Sequence, residues 1–356
     1  MSVVYKKLED VCEILDSRRV PITAKDRKAG TYPYYGANGL QDYVADYIFD
    51  DELVLLAEDG GNFGSKERPI AYRVSGKCWV NNHAHVLKAK PNMHVDYLCY
   101  ALMFYDTEGL VNGATRQKLT QAAMRQMVIP YRDMTEQLQI IKKISQIVRS
   151  IEKRKEELQL LDQLVKSRFI ELFGDPMTDV SKWSASTIGE QFNVSSGGTP
   201  ATGEKAYWEN GTIPWIGSNM CQDTMLSEND GKFITEEGYA HSSAKWFHKG
   251  TVLVALVGAT IGKTALLRFD TTTNQNIAAI DVTQNAAFSS EFVFYHMQML
   301  YSKFMEIGSG KFKMANQGFI RQLPLICPPI ELQEQFATFV EQTDKSKLCG
   351  KMEVAA

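Results

Sequence analysis

"NGATRQKLTQAAMRQMVIPYRDMTEQLQII", residues 112–141, and "GSGKFKMANQGFIRQLPLICPPIELQEQFATFV", residues 308–340, are two versions of one pattern. Each version begins with a glycine-led basic stretch and continues through a Gln to an Arg-Gln pair. An apolar segment with proline follows, and a Glu-Gln pair then opens a helix. Self-similarity at a nearly fixed offset indicates two copies of one structural unit.

The repetition extends upstream of these segments. "ELVLLAEDGGNFGSK" (52–66) parallels "GTVLVALVGATIGKT" (250–264), and "NNHAHVLKA" (81–89) parallels "NQNIAAIDV" (274–282). The offset between the copies stays between 193 and 198 residues. The chain is therefore predicted to be a tandem duplication of one unit with a variable interior.

A long helix is predicted between the copies. Residues 135–173 contain neither Gly nor Pro and place apolar side chains at intervals of three and four, and Gly174 then ends the pattern. Such a helix would be about 58 Å long. It is either an ordinary amphipathic helix packed on its own domain or a rod between two heads, and the rod is favoured because both copies end in a helix. The predicted coiled-coil and partner positions are Ile144, Val148, Ile151, Leu158 and Val165.

The second copy is predicted to end in a shorter helix. This helix would run from Leu332 to about Lys347, and roughly 25 residues of the first copy's helix have no counterpart. The predicted fold class is α+β: two similar β-rich domains in tandem, separated by a long coiled-coil-forming helix, with a second, shortened C-terminal helix. The predicted boundaries are residues 1–132, 133–174, 175–330, 331–347 and a tail at 348–356.

Composition narrows the class of protein. The chain has 356 residues, of which 44% are hydrophobic, and this length suggests two domains with substantial cores. No apolar run approaches a membrane span, and the six cysteines are far apart, so a cytoplasmic protein with reduced thiols is expected. The net charge of −3 gives no overall basic signal, so a nucleic-acid surface would have to be local.

The stretch "LVALVGATIGKTALLRF" (253–269) superficially suggests a nucleotide-binding loop. That loop needs four residues between its glycines, but Gly258 and Gly262 bracket only three, and no helix pattern follows. Two apolar runs, 252–257 and 265–269, instead flank a glycine-containing turn. This arrangement predicts a β-hairpin.

In combination, "LVGATIGKT", "TNQNIAAI", "CPPIELQEQF" and "LFGDP" resemble the specificity subunits of type I restriction-modification systems, and the resemblance covers residues 1–347. It implies that the two domains are target recognition domains, each reading one half of a split site in double-stranded DNA. It also implies that the spacer helices dock modification subunits, which bring S-adenosylmethionine and methylate adenine. Restriction subunits, where present, would add the motor and nuclease with ATP and Mg. No cofactor is expected in this chain, and no membrane partner.

The residues agree with a subunit that has no catalytic site. Adenine methyltransferases need Asn or Asp, two prolines and an aromatic residue, but the nearest stretch here is Cys327-Pro328-Pro329-Ile330. "EDGGNFG" (58–64) faintly suggests a methyl-donor loop, but no helix follows. His83 and His85 alternate on one strand without a third ligand beside them, so no metal site is predicted.

DNA contacts are predicted in the repeated loops. Residues 109–132 and 307–330 carry Arg and Lys without one Asp or Glu, which is typical of a local phosphate-binding surface; a solvated loop is the alternative. Polar side chains on the glycine turns could read bases, although Lys263 could equally be a hairpin-tip lysine in water. The predicted contacts are Asn62, Lys66, Arg68, Asn81, Asn82, His83, Arg116, Gln117 and Lys118 in the first domain and Ser218, Asn219, Thr260, Lys263, Asn274, Gln275, Lys311, Lys313, Asn316 and Gln317 in the second.

A second function remains open at this point. The shortened final helix is also typical of a shortened or silent specificity allele, which would act as a stand-alone DNA-binding protein. An enzyme would need a nucleotide or methyl-donor site, and both candidate loops fail on spacing.

Overall fold

The structure is a computed structural model that describes residues 3–113, 116–178, 182–307 and 314–355, with the backbone alone for 348–355. The chain divides into two compact units, Met1–Ile151 and Glu152–Ala356. Helix and sheet are mixed in both units, as the predicted α+β class requires.

The first unit contains strands β1 (Val4–Lys7), β2 (Cys12–Ile14), β3 (Ala29–Gly36), β4 (Gly39–Val44), β5 (Phe49–Ala57), β6 (Ala71–Val80), β7 (Ala84–Ala89), β8 (Val111–Asn112), β9 (Lys118–Leu119) and β10 (Val128–Tyr131), and helices α1 (Leu8–Val11), α2 (Val95–Met103) and α3 (Gln121–Gln126). Helix α4 (Met134–Phe173) runs from the first unit into the second. The second unit contains strands β11 (Ser184–Thr187), β12 (Asn193–Ser195), β13 (Ile213–Ile216), β14 (Thr224–Leu226), β15 (Phe233–Ile234), β16 (Trp246–Phe247), β17 (Val252–Ala255), β18 (Thr264–Leu267), β19 (Thr271–Thr273), β20 (Ile277–Asp281) and β21 (Pro324–Cys327), and helices α5 (Ile188–Gln191), α6 (Glu236–Ala240), α7 (Ser290–Met299), α8 (Tyr301–Met305), α9 (Gln317–Gln322) and α10 (Ile330–Ala355).

The main sheets of the two units share one strand arrangement. The order is β2-β7-β5-β6-β3-β4 in the first unit and β12-β20-β17-β18-β14 in the second. In both sheets the central hairpin, β5–β6 or β17–β18, pairs through its first strand with β7 or β20, which pairs in turn with β2 or β12. The predicted tandem duplication is therefore present in the topology as well as in the sequence.

The central strands are buried on both faces. In β5, Leu53 and Leu55 point into one apolar cluster and Val54 and Leu56 into another. The side chains of β17 also alternate between two clusters. Successive side chains of a strand point to opposite faces, so a sheet covered on both sides reads as an unbroken apolar run. This explains why "LVLL" and "VLVA" are unbroken apolar runs in the two copies.

The second unit also has a sheet that the repeat does not predict. Strands β15, β13, β19 and β16 form it in that order, and β13 and β19 are parallel. An apolar cluster that includes Ile213, Trp215 and Ile234 packs beside it. The parallel pair of this sheet corresponds to β3 and the end of β6 in the first unit, since Asn274 donates its N–H to the carbonyl of Ile216 as Asn81 donates to that of Tyr35; β15 and β16 lie in the variable interior.

The predicted long helix is confirmed as α4, one continuous helix of 40 residues. At 1.5 Å per residue it is about 60 Å long. Its first turn is capped by Asp133, whose Oδ1 accepts a hydrogen bond from the N–H of Glu136 at 2.9 Å. It ends at Gly174, which has a φ of 82° and donates its N–H to the carbonyl of Ile170. Only glycine adopts this conformation without strain, so it stops the helix where the sequence predicts.

The final helix is longer than predicted. Helix α10 spans Ile330–Ala355, so the expected end near Lys347 is wrong. Residues 348–355 include one glycine, Gly350, and no proline. A single glycine weakens a helix by about 1 kcal/mol relative to alanine without ending it, and the residues around it are compatible with helix.

Helices α4 and α10 pack against each other inside the second unit. The ring of Phe336 meets those of Phe169 and Phe173 edge-on, with centroids 5.5 and 5.6 Å away. Further along, Nζ of Lys347 lies 2.8 Å from a carboxylate oxygen of Asp162. Residues later in α10 contact residues earlier in α4, so the two helices are antiparallel.

The five predicted coiled-coil positions differ in burial. Val165 is fully buried in the core of the second unit, while Ile144, Ile151 and Leu158 are half-buried and Val148 is exposed. Other apolar side chains of α4 are also exposed to solvent; these are Leu138, Ile147, Leu160, Leu164 and Ile170.

A glutamine near the start of each long helix has a structural role that the sequence did not suggest; Gln137 belongs to the first Glu-Gln pair, whereas Gln333 lies just before the second pair, Glu334–Gln335. Gln137 and Gln333 are both fully buried. Nε2 of Gln137 donates to the carbonyls of Asn92 and Arg132, and its Oε1 accepts the N–H of His94 at 2.7 Å. Gln333 binds the carbonyls of Ala287 and Pro328 and the N–H of Ser289 in the same way. Each glutamine thus fastens the start of a long helix to the start of an earlier helix of the same copy, α2 for Gln137 and α7 for Gln333.

Across the described part of the chain, no helix is long and apolar enough to cross a membrane. Five of the six cysteines have described side chains, and all five are free thiols, as expected; they are Cys12, Cys78, Cys99, Cys221 and Cys327.

Candidate nucleic-acid interface

The repeated basic segment of the first unit packs against the turn that follows β5. Lys118 forms a β-bridge with Asp59, and the N–H of Leu119 donates to the carbonyl of Glu58 at 2.7 Å. The N–H of Gly60 donates to the carbonyl of Gln117 at 3.1 Å. The segment and the turn therefore form one surface at the end of the central strand.

The second unit repeats this arrangement. Met314 forms a β-bridge with Val257, and the N–H of Ala315 donates to the carbonyl of Leu256 at 2.9 Å. These contacts lie just after the end of β17, which corresponds to β5. Two of the predicted DNA contacts, Lys311 and Lys313, lie outside the described residues.

The basic side chains of the first unit are paired with acids from a distant part of the sequence. Arg116 lies 2.9 Å from Asp59, and Lys118 lies 3.1 Å from Glu58. Nδ1 of His83 is 2.6 Å from the same oxygen of Asp59. The basic segment itself contains no Asp or Glu, but the fold places Glu58 and Asp59 beside its cations. The surface therefore carries charges of both signs.

These outer ion pairs are weak enough to be exchanged. The side chains of Arg116 and Lys118 are 59% and 50% exposed. An exposed ion pair contributes about 0–1 kcal/mol. A phosphate that approaches the surface could take over either cation at little cost.

A buried polar network lies directly below this surface. Nδ1 of His85 is 2.6 Å from Asp16, and Nε2 is 2.9 Å from the carbonyl oxygen of Leu119. Arg19 lies 2.6 Å from Glu58 and 3.5 Å from Asp16. The expectation that no third ligand stands near the histidines is wrong, because atoms of Asp16, Glu58 and His85 gather within 4.8 Å of one another. The guanidinium of Arg19 pairs with both carboxylates.

Both carboxylates are held in their charged form. Burial alone would raise the pKa of Asp16, but hydrogen bonds from His85, Gln121 and the N–H of Val86, together with the charge of His85, outweigh burial and lower it. Burial likewise opposes ionisation of Glu58, whose pKa is lowered by hydrogen bonds from Arg19 and Lys118.

The remaining predicted contacts of the first unit differ in accessibility. Asn81 is buried and accepts the N–H of His83, while its Nδ2 donates to Gln41, so its role is structural. Asn82 is exposed beside it. On the following turn Asn62 is half-buried, while Lys66 and Arg68 are exposed.

In the second unit the predicted hairpin is confirmed, since β17 and β18 pair antiparallel. Gly262 has a φ of 77°, and a side chain there would meet the ring of Phe304 at 2.7 Å. Lys263 follows at the end of the turn, where Nζ is 2.6 Å from Asp223. Lys263 is thus paired with an acidic side chain and is not a lysine free in water; its contact with a DNA phosphate stays a prediction.

The other predicted contacts of the second unit lie on nearby turns. Asn274 accepts the N–H of Asn276 at 3.0 Å, and Oε1 of Gln275 accepts the hydroxyl of Thr199 at 2.6 Å. Asn219 is exposed, and the side chains of Ser218 and Thr260 are half-buried.

Asn316 and Gln317 serve the fold. The side chain of Asn316 caps α9 by accepting the N–H of Phe319 at 2.9 Å. Gln317 donates to the hydroxyl of Ser196 and accepts from Arg321. Its structural counterpart is Gln121, the first residue of α3, and not Gln117.

Sequence reasoning missed a polar cleft in the second unit. The cleft has a volume of about 480 Å³ and is lined by Lys245, Trp246, His248, Gln317 and Arg321 among others. Lys245 and Trp246 are exposed at its edge. Cations beside an accessible aromatic ring are typical of nucleic-acid surfaces. The only signal in the sequence is "KWFHK", which lies in the variable interior and has no repeat partner.

Comparisons with known proteins agree with the duplicated fold. The sequence profile of the type I restriction modification DNA specificity domain matches residues 2–161 and again residues 180–350. These two matches cover most of the chain and coincide with its two copies. The chain belongs to the family of type I restriction-modification specificity subunits.

Relatives are similar over parts of their length. A putative type I restriction enzyme specificity subunit from Haemophilus influenzae is 37% identical over 140 residues, which cover 39% of this chain and 36% of the relative. The EcoR124I/EcoR124II specificity subunit of Escherichia coli is 25% identical over 67% of this chain and 57% of its own length. The matches thus span about a third to just over half of these relatives.

The fold is also similar to a solved structure. The S subunit of a type I restriction-modification system from M. genitalium aligns with a TM-score of 0.56 at 15% identity, covering all of this chain and 92% of that one. At this identity the likeness supports the fold alone.

Proposed function

We propose that this chain is the DNA-reading subunit of a type I restriction-modification complex. Each unit would read one half of a bipartite site, and partner subunits would methylate and cleave the DNA. The observation that carries the proposal is the equivalent placement of one loop surface, around Asp59 and Val257, at the end of the central strand in both units. Membership of the specificity family supports it further.

Phosphate and base contacts have separate tasks in such a subunit. Phosphate contacts seat a protein on the duplex, and side chains that reach base edges select the sequence. In the first unit Arg116 and Lys118 would bind phosphate, with exposed Asn82 placed to read bases. In the second unit Lys245 would bind phosphate and Trp246 would pack on a sugar or base.

The distance between half-sites would depend on helix α4. It is one unbroken helix from Met134 to Phe173, without the proline or internal glycine that would bend it. A helix of this kind can set a spacing because its length is fixed at 1.5 Å per residue.

The chemistry would lie in the partners. Modification subunits would supply S-adenosylmethionine for adenine methylation, and restriction subunits would use ATP and Mg. Neither candidate loop for a nucleotide or methyl donor has the necessary spacing in this chain. Family membership favours this complex over the alternative of a stand-alone DNA-binding protein.

The test measures DNA binding by the complex of this chain with its modification subunits. Replacing both Arg116 and Lys118 with alanine should weaken binding to all sequences and reduce the slope of log K against log salt by about 2, since each phosphate contact contributes about 0.9. Fluorescence anisotropy over a salt series gives both quantities.

Lys77→Ala is the matched control. Lys77 is an exposed lysine of the same unit, on β6 opposite Asp50 in the β5–β6 hairpin. An unchanged salt slope in the double variant, or an equal decrease in the control, would contradict the proposal.

A further inference from the structure

His85 connects the candidate DNA surface of the first unit to its sheet. The side chain is fully buried on β7. Its Nε2 is 2.9 Å from the carbonyl oxygen of Leu119, the residue directly after Lys118. Its Nδ1 is 2.6 Å from Oδ2 of Asp16. Both ring nitrogens therefore face oxygen atoms.

This geometry requires the doubly protonated ring. A backbone carbonyl and an ionised carboxylate can only accept hydrogen bonds, and a neutral imidazole carries a single N–H. In a neutral ring one nitrogen lone pair would face an oxygen lone pair at hydrogen-bond distance, which is repulsive. Asp16 is committed as an acceptor, because it also receives hydrogen bonds from Gln121 and the N–H of Val86.

The cluster around the ring holds two carboxylates and, counting the imidazolium itself, three cationic groups. Glu58 lies 3.7 Å from Nδ1 of His85 and accepts from Arg19 and Lys118. Arg19 also reaches Asp16. One of these cationic groups, Lys118, belongs to the predicted phosphate-binding segment.

The second unit has no such charged connection at the equivalent position. In the first unit Ala57 pairs with Ala84, and the next pair is Leu56 with His85. In the second unit Ala255 pairs with Ile277, and the next pair places Ala278 at the corresponding position. The backbone hydrogen bond between segment and turn is common to both units, so the histidine is an addition in the first.

We propose that His85 is a positioning residue for DNA recognition by the first unit. As a buried imidazolium it would donate a hydrogen bond to the carbonyl of Leu119. It would thereby fix the position, relative to the sheet, of the segment that carries Arg116, Gln117 and Lys118. This inference rests on the proposed function, because it assumes that the segment contacts DNA. It predicts that the two half-sites differ in their dependence on a single histidine.

The charge of His85 can be measured without any variant. In the ¹⁵N-histidine-labelled full chain, long-range proton–nitrogen correlation spectra at neutral pH should show that both ring nitrogens of His85 carry protons. Loss of one signal set in His85→Gln assigns the resonance. A neutral tautomer at His85 would overturn the inference.

The second experiment measures binding of the complex to DNA with the complete site and with each half-site scrambled. His85→Ala should reduce discrimination at the first unit's half-site about tenfold, which is on the order of one mismatched base pair, and leave the other half-site unchanged. Leu87→Ala is the control, since Leu87 is also fully buried and lies two residues further along the same face of β7. It should affect neither half-site at a temperature where both variants are folded.

The outcomes separate the two proposals. Equal losses at both half-sites, or full discrimination by His85→Ala, would contradict the positioning role. If instead the unmodified complex fails to discriminate either half-site, the proposed function itself is wrong.

Discussion

At the scale of single residues, His296 shows how strongly the core of the second unit constrains a polar side chain. It is fully buried on α7, with ring centroids 6.4 Å from Phe169 and 5.7 Å from Phe292. Nε2 lies 2.9 Å from the carbonyl of Pro324, while Nδ1 is buried without a partner. Burial lowers the pKa of His296 to about 4, so the ring is neutral at pH 7.

This burial predicts a pH dependence of stability. The pKa of His296 is lower in the folded than in the unfolded chain, so unfolding takes up a proton between about pH 4 and 6.5. The contribution of neutral His296 to the free energy of unfolding is complete above pH 6.5. It decreases as the pH falls through this window and is lost below about pH 4. Its full size is about 3 kcal/mol, from 1.36 kcal/mol per pKa unit.

The measurement is urea unfolding at several pH values, comparing the chain with His296→Gln. The variant should lose this part of the pH slope, whatever its absolute stability. His241→Gln changes an exposed histidine of the same unit and should keep the slope. Identical slopes in all three chains would show that His296 does not titrate as burial requires.

Single residues were also the hardest to predict from sequence. The basic character of residues 116–118 is visible, but their acidic partners are not, because Asp59 is 57 residues from Arg116. His85 appeared as one of two alternating histidines, and only the fold reveals that Asp16 and Leu119 meet it. Pairings of this kind depend on tertiary contacts that no local pattern encodes.

At the scale of elements, the start of each long helix depends on one buried glutamine. Gln137 and Gln333 are fully buried, and each makes three hydrogen bonds to backbone groups. The start of each long helix is therefore held in place by polar contacts and apolar packing together.

Replacing either glutamine with leucine should destabilise its unit by roughly 2–4 kcal/mol, because buried N–H and C=O groups lose their partners. Denaturant unfolding followed by circular dichroism measures the change. The same substitution at Gln139 or Gln335, which are exposed two residues further along the same helices, should change stability by less than about 0.5 kcal/mol. Similar effects at buried and exposed positions would refute the anchoring role.

Elements with a strong periodic signal were predicted well. Helix α4 begins within one residue of the predicted start because Asp133 caps it, and it ends at the predicted residue because Gly174 stops it. The β17–β18 hairpin follows from two apolar runs around a glycine turn. The end of α10 was predicted too early, since residues 348–355 lack a periodic apolar pattern, yet nothing in them prevents helix.

At the scale of the whole molecule, the duplication was predictable because the repeated segments have similar sequences at a nearly fixed offset. The two main sheets share strand order and hairpin register, so equal sequence produced equal topology. Strands β15 and β16, and the cleft beside Trp246, could not be predicted. They belong to the variable interiors, where the two units differ and where two readers of different DNA would be expected to differ.

The central claim is that the two units read separate halves of one DNA site. Exchanging residues 1–132 for those of another family member, in cells that carry the complete system, tests it when methylated adenines are mapped across the genome. The account predicts a methylated motif in which one half is new and the other half unchanged. A motif in which both halves change, or in which neither does, would contradict it.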